Sequence, residues 1–349
     1  MTMLLEAQGL VKSFPVKRNV FGRSTEWVHA VDGVSFSIAE GETLGLVGES
    51  GSGKSTVARL VTRLLDADEG SLQFSGTDLF ALKGRALRER RRDFQMVFQD
   101  PRSSLDPLMS VASVIEEALR IHTDLDSRQR RTQAGDLLER VGLSSQHLDR
   151  RPNELSGGQR QRIAIARALA VGARLLVCDE AVSALDVSVQ AQVVNLLQDL
   201  QAELGLSYLF IAHDLAVVHQ ISHRIAVMYL GQIVEQGPAE QVWEQPKHPY
   251  TEALLSAIPE AHPQRQRKRE RIVLQGDIPN PAEPPSGCRF HTRCPYAMEI
   301  CRTEVPQVFR ARDGTLAACH LHTEGVVLAG ASVKDLAPPK QGVADATSS

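Results

Sequence analysis

Three short stretches hold residue types whose spacing suits nucleotide chemistry. Gly48-Glu49-Ser50-Gly51-Ser52-Gly53-Lys54-Ser55 joins glycines, which let backbone N–H groups approach phosphate oxygens, to a lysine that can reach β- and γ-phosphates and a serine hydroxyl that can ligate Mg²⁺. Leu175-Leu176-Val177-Cys178-Asp179 is an apolar run ending in a carboxylate. A charge there is costly unless it sits at an exposed tip beside a cation, so Asp179 is the natural partner of the same Mg²⁺. Glu180 follows it and can point a second carboxylate at an attacking water. The third stretch, Leu155-Ser156-Gly157-Gly158-Gln159, precedes the apolar helical segment 161–169. Its free N–H groups and hydroxyl make an anion site at a helix N-terminus, with no phosphate loop of its own nearby, so it needs a second chain's nucleotide. Helix capping explains Ser156 but not the Gly-Gly-Gln that follows.

These residues need elements to hold them. Thr43–Gly48 is a short apolar run before the loop, and from Lys54 to Leu65 apolar residues recur at helical spacing: strand, loop, helix. The runs 175–179 and 208–212 read as further buried strands, each followed by a helical pattern, at 187–204 and 214–222. Strands alternating with helices predict an α/β fold with a parallel core sheet. Segments 4–14, 28–39, 223–229 and 231–237 alternate apolar and polar residues and predict a smaller antiparallel β subdomain. Between about 103 and 160 the pattern is helical, an α-helical subdomain inserted between core strands. Composition turns Pro-rich and charged after Trp243, and Gln264–Arg271 reads as a linker. The expected domains are 1–255, a cysteine-containing extension over 256–323, and a disordered tail over 324–349.

Taken together, the motifs resemble the ATP-binding-cassette (ABC) ATPases in order and spacing, over roughly residues 4–255. The resemblance implies ATP contacts from Gly48, Glu49, Ser50, Gly51, Ser52, Gly53, Lys54, Ser55 and Thr56. It implies Mg²⁺ held by Ser55, Gln99 and Asp179, and catalysis by Glu180 with Gln99, which senses the membrane subunit, and His213, which contacts the γ-phosphate. Ser156, Gly157, Gly158 and Gln159 would bind the γ-phosphate across a dimer, and Ser183-Ala184-Leu185-Asp186, with Asp186, resembles the loop that links the two sites. For adenine the family uses an aromatic residue from the first strands: Phe14, or alternatively Phe21 or Trp27. Ala181 stands where many members carry proline, which removes a rigid turn but no reacting group.

Lys247-His248-Pro249-Tyr250-Thr251-Glu252-Ala253-Leu254-Leu255, a Pro-rich stretch and a cysteine cluster resemble the ATPases of bacterial oligopeptide and dipeptide importers. That implies a second, different ATPase chain, two membrane permeases and an external peptide-binding protein as partners, and a place at the cytoplasmic face of the inner membrane. Nickel or oligosaccharide import is the alternative within the class, and a soluble non-transport ABC ATPase the alternative outside it. Of five cysteines, four are spaced Cys288-x5-Cys294-x6-Cys301-x17-Cys319. Four thiolates suit zinc or an iron–sulfur cluster, but zinc sites usually begin with closer pairs, so a cluster ranks first, then zinc or free thiols. The importer resemblance implies [4Fe–4S]. Cys178, in its apolar run, reads as a buried small residue. A net charge of −3 gives no global pull toward nucleic acid, and no nucleic-acid partner is expected. The basic runs 88–92 and 265–271 read as solvated faces. With no apolar run of about 18 residues and no signal-peptide pattern, the chain is expected to be soluble and intracellular.

Overall fold

The structure, a computed structural model, describes residues 2–18, 24–100, 104–259, 272–324 and 327–336, in two compact units, Met1–Ile233 and Val234–Ser349. Phe21, Pro101 and the basic run 265–271 lie outside the described residues.

The strands of the first unit are β1 (Met3–Arg18), β2 (Ser24–Ala39), β3 (Thr43–Val47), β4 (Glu69–Phe74), β5 (Thr77–Asp78), β6 (Phe94–Val97), β7 (Leu175–Asp179), β8 (Ser207–Ala212) and β9 (Arg224–Tyr229). β3, β7 and β8 are buried at every position, which is why they read as unbroken apolar runs. They lie in a parallel layer of order β9-β3-β8-β7-β6. The antiparallel sheet has order β2-β1-β4-β5. Between the two sheets, the helix Lys54–Val61 buries Val57, Ala58, Leu60 and Val61 in a core with Leu5, Leu10, Phe74, Val177 and Ile211.

Two expectations are corrected: β9 belongs to the core sheet, pairing parallel with β3 from Leu44 opposite Arg224 to Val47 opposite Val227, not to the antiparallel subdomain, and the strand over 231–237 does not join that subdomain either, its Glu235 and Gln236 pairing with Leu316–Ala318. In β9 burial is continuous from Ile225 to Tyr229, as in a central strand; the polar residues that suggest alternation, His223 and Arg224, stand only at its entry.

The helices Val111–His122, Ser127–Arg140 and Gly157–Leu169 fill the stretch read as an inserted helical subdomain. Each starts at a side-chain cap: Ser110, Asp126 and Ser156 accept the N–H of Ser113, Gln129 and Gln159. The basic run 88–92 is engaged on the surface of its own unit. Arg90 pairs with Asp93 at 2.7 Å and lies over the Phe74 ring, and Arg91 donates to the Arg63 carbonyl.

In the second unit, Glu235 and Gln236 of β10 (Gln232–Pro238) pair antiparallel with β12 (Leu316–Ala318), which pairs with β11 (Val308–Arg310). The Lys247–Leu255 motif has its structural explanation here. Glu235, 1% exposed, accepts the N–H groups of Lys247 at 2.7 Å and His248 at 2.9 Å. The buried Lys247 ammonium meets Asp313 at 3.3 Å, and the Lys247 carbonyl pairs with His322 Nε2 at 2.7 Å. Burial pushes the Glu235 carboxyl up to about 7, against the hydrogen bonds from the Lys247 and His248 N–H groups. Residues 327–336, assigned to the tail by composition, are packed. Leu328 and Val333 join Cys319 and Leu321 in a small core, and Val333 donates to the Pro246 carbonyl at 2.8 Å. Residues 337–349 lie outside the described set.

Candidate active site

Parallel strands bring their C-terminal ends to one edge, where open α/β sheets gather their ligand-binding residues. Val47 lies opposite Ala212, Cys178 opposite Val97 and Asp179 opposite Ile211, so the residues one or two places past each strand converge: the loop from Gly48, His213, Gln99 and Glu180.

The loop fits its place only as glycine. A Cβ on Gly48 would stand 2.1 Å from the Met228 carbonyl oxygen, and Gly53, at φ 106°, would press one to 2.0 Å from the Ala30 carbonyl. The Gly231 N–H donates to the Ser52 carbonyl at 2.9 Å, so the turn after β9 backs the loop. Nothing in the sequence marks that turn except Gly231 itself.

Lys54 opens the helix, is 4% exposed, and donates to the carbonyls of Gly48 at 2.7 Å and Glu49 at 2.8 Å. Burial lowers its pKa, opposed by the charges of Glu180, Asp179 and Glu49. Ser55 Oγ donates to Asp179 Oδ1 at 2.9 Å. Burial raises the Asp179 carboxyl, and the Ser55 hydrogen bond works against it. A hydroxyl and a carboxylate oxygen so close suit Mg²⁺, a hard cation that prefers oxygen ligands. Thr56 follows in the first turn, its N–H bonded to the Gly53 carbonyl at 3.0 Å.

Glu180 takes φ 49°, a left-handed conformation for a non-glycine residue. Its carboxylate accepts Gln99 Nε2 at 2.8 Å and lies 3.9 Å from His213 Nδ1. Gln99 thus reaches the expected base, while the expected Mg²⁺ residues Ser55 and Asp179 pair with each other.

The structure places Ser156–Gln159 on the inserted helices. Ser156 and Gln159 form a reciprocal cap, Oγ accepting the Gln159 N–H at 3.3 Å and Oε1 accepting the Ser156 N–H at 2.9 Å. A Cβ on Gly157 would lie 3.3 Å from Leu185, and one on Gly158 would lie 2.5 Å from Val189, so this helix packs against the loop that ends at the exposed Asp186 and against the start of the helix Val187–Leu204 that follows it. On the hairpin, Phe14 pairs with Val28 and Pro15 with Trp27. Consecutive register positions face opposite ways, so Phe14 and Trp27 are on opposite faces.

The four clustered cysteines all carry free thiols in the second unit. Cys288 N–H donates to the Cys301 carbonyl at 2.9 Å. Burial pushes the thiols of Cys288, Cys294 and Cys319 up, that of Cys294 to about 12, and the neighbouring cysteines act in the same direction. Among the described residues, however, no three or more His, Cys, Asp or Glu side chains are grouped to hold a metal ion, so the donor set expected for a cluster is not assembled. Cys178 is fully buried with its thiol pushed up to about 12, as expected of an inert core residue.

A phosphate loop, a strand-end Asp-Glu pair and a Ser-Gly-Gly-Gln helix start on one α/β core define an ATP-binding cassette. Residues 31–183 match the ABC transporter family model, and residues 234–301 the model of the oligopeptide/dipeptide transporter C-terminal region. The oligopeptide transport ATP-binding protein AppF of Bacillus subtilis is 49% identical over 92% of this chain and 98% of its own. The dipeptide transport ATP-binding protein DppF of Haemophilus influenzae is 48% identical over 91% of this chain and 96% of its own. The chain belongs to the family of ATP-binding proteins of peptide ABC transporters. Among solved structures, the cassette MJ0796, in a dimeric post-hydrolysis state bound to ADP and Pi, is 28% identical with a TM-score of 0.61, covering 68% of this chain and 99% of that one. Among the described residues no helix is long and apolar enough to cross a membrane.

Proposed function

We propose that the chain hydrolyses ATP in a dimer of two different ATPase chains and thereby drives uptake of di- and oligopeptides through two membrane permeases supplied by an external peptide-binding protein, at the cytoplasmic face of the inner membrane. The observation that carries this reading is the contact set Lys54, Ser55, Asp179, Glu180 and Gln99 at one sheet edge, in a chain that also matches a peptide-transporter C-terminal region. The ATP phosphates take the N–H groups of Gly48–Ser55, and Lys54 exchanges the carbonyls of Gly48 and Glu49 for β- and γ-phosphate oxygens. Ser55 and Asp179, with Gln99, would hold Mg²⁺, which when bound would neutralise phosphate charge. A water positioned by Glu180 and Gln99 attacks the γ-phosphorus as the bond to the bridging oxygen breaks. Its proton passes to the Glu180 carboxylate, the charge left on ADP faces Lys54, and His213 lies within reach of the γ-phosphate. Ser156–Gln159 serve the partner's nucleotide, and Phe14 takes adenine.

A groove beside Gln99, lined by Leu64, Phe98, Ile121 and Arg167, receives a cytoplasmic segment of the permease. Its continuity with Phe98-Gln99 connects the docked segment to the residue that holds Glu180. No step of this reading uses iron, and the iron content of anaerobically purified protein tests the [4Fe–4S] expectation for Cys288, Cys294, Cys301 and Cys319. The deciding experiment is ATPase activity of the chain assembled with permeases and receptor in vesicles. Stimulation by a peptide-loaded receptor is expected. Stimulation only by a nickel- or oligosaccharide-loaded receptor would replace the peptide reading.

A further inference from the structure

Glu180 holds a backbone conformation that an L-residue with a Cβ seldom adopts, and such a conformation persists only where the surroundings enforce it. Its N–H donates to the Ile211 carbonyl at 2.9 Å, continuing the β7–β8 ladder one residue beyond Asp179. Its carbonyl accepts two bonds from one residue, the Ser183 N–H at 3.1 Å and the Ser183 hydroxyl at 2.9 Å. The two N–H bonds are available to almost any sequence. The hydroxyl bond depends on the residue type at 183.

We infer that Ser183 is a positioning residue for the general base: its hydroxyl locks the Glu180 backbone, and with it the direction in which the carboxylate projects toward the γ-phosphate. The carboxylate is then fixed at both ends, by Gln99 Nε2 at its oxygen and by Ser183 at its main chain. Rotation about the Glu180 backbone swings the carboxylate, and a displacement on the order of 1 Å costs up to ~10²-fold in rate. Ser183 also begins the segment whose Leu185 lies against Gly157, so a shift of the Ser156–Gln159 helix bears on the residue that aims the base.

This inference rests on the proposed role of Glu180, and the test separates the two. In the full-length chain, Ser183→Ala is expected to lower kcat about tenfold, the effect of losing one hydrogen bond, with KM and ATP affinity unchanged within about twofold. Ser183→Thr, which keeps the hydroxyl, restores the rate, and Ser183→Cys, a weak donor of similar shape, falls between them and carries the comparison if the alanine variant does not fold. Adding Ser183→Ala to Glu180→Gln is expected to cost nothing further, because a positioned group already removed cannot be mispositioned. A kcat for Ser183→Ala within about twofold of the parent, a fall in ATP affinity equal to the fall in kcat, or full additivity with Glu180→Gln would overturn it. Turnover retained by Glu180→Gln alone would remove the base and the positioning role with it.

Discussion

Glu180→Gln separates chemistry from architecture at this site. The parent carboxylate accepts Gln99 Nε2 at 2.8 Å, and a glutamine at 180 can present its amide oxygen to the same donor, so the contact and side-chain shape survive. What disappears is the ability to take a proton from water. Loss of a general base costs ~10²–10⁴ in rate, or about 3–5 kcal/mol of transition-state stabilisation. Nucleotide affinity should move the other way. The Glu180 charge is the first of the carboxylates acting on Lys54, so it also faces bound phosphates, and neutralising it relieves like-charge repulsion. The expected outcome is turnover reduced at least 100-fold with ATP binding equal or tighter, and an ATP-dependent dimer that persists on size-exclusion chromatography. Phosphate release by the full-length chain and binding of a fluorescent ATP analogue measure the two quantities. Turnover within about threefold of the parent, in a variant that binds ATP normally, would refute Glu180 as the base.

Other perturbations test the loop and the second unit. Lys54→Ala removes an ammonium that donates at 2.7 and 2.8 Å, and loss of a charged hydrogen bond worth ~1.5–3 kcal/mol should weaken ATP affinity about ten- to a hundredfold by calorimetry. Gly48→Ala forces a methyl to 2.1 Å from a backbone oxygen, so a stability loss of ~1–3 kcal/mol in denaturant titration is expected, together with lost ATP binding; an unchanged unfolding midpoint would contradict the requirement for glycine there. Glu235 has a folded pKa of about 7 against an ordinary 4.5. A raised folded value means its contribution is full below about 4.5 and is lost as pH rises toward 7, a decline of about 3 kcal/mol. The stability difference between the parent and Glu235→Ala should therefore shift against the parent between pH 5 and 7 in melting curves. A shift in the opposite direction would refute the buried, raised carboxyl.

The parallel core was legible because its strands are buried on both faces, so β3, β7 and β8 appear as apolar runs with Gly48, Glu180 and His213 just past their ends. β4 and β6 leave no such mark: Glu69–Phe74 is exposed at its first two positions and buried only at Leu72 and Phe74, and Phe94–Val97 is four residues long, too short for a periodicity to show. In the site, Lys54, Ser55, Asp179 and Glu180 announce themselves by residue type and spacing. The role of Gly231 does not, because the Ser52 carbonyl is brought near it only by the fold, and that of Ser183 does not, because it depends on the left-handed turn at Glu180 that no residue pattern marks. The cysteine spacing shows four thiols in one region but says nothing of whether their sulfurs converge.

The salt link between Lys247 and Asp313 bears on how far the C-terminal extension behaves as a detachable module. A chain cut at residue 255, where composition suggests a boundary, would keep the buried Lys247 yet lose Asp313, His322 and the Val333 N–H that engages Pro246. An ammonium stranded in that interior is strongly destabilising. Shortening or exchanging the extension therefore perturbs residues well before the cut, and chimeras between relatives should be joined ahead of Val234, so that Glu235, Lys247 and Asp313 travel together.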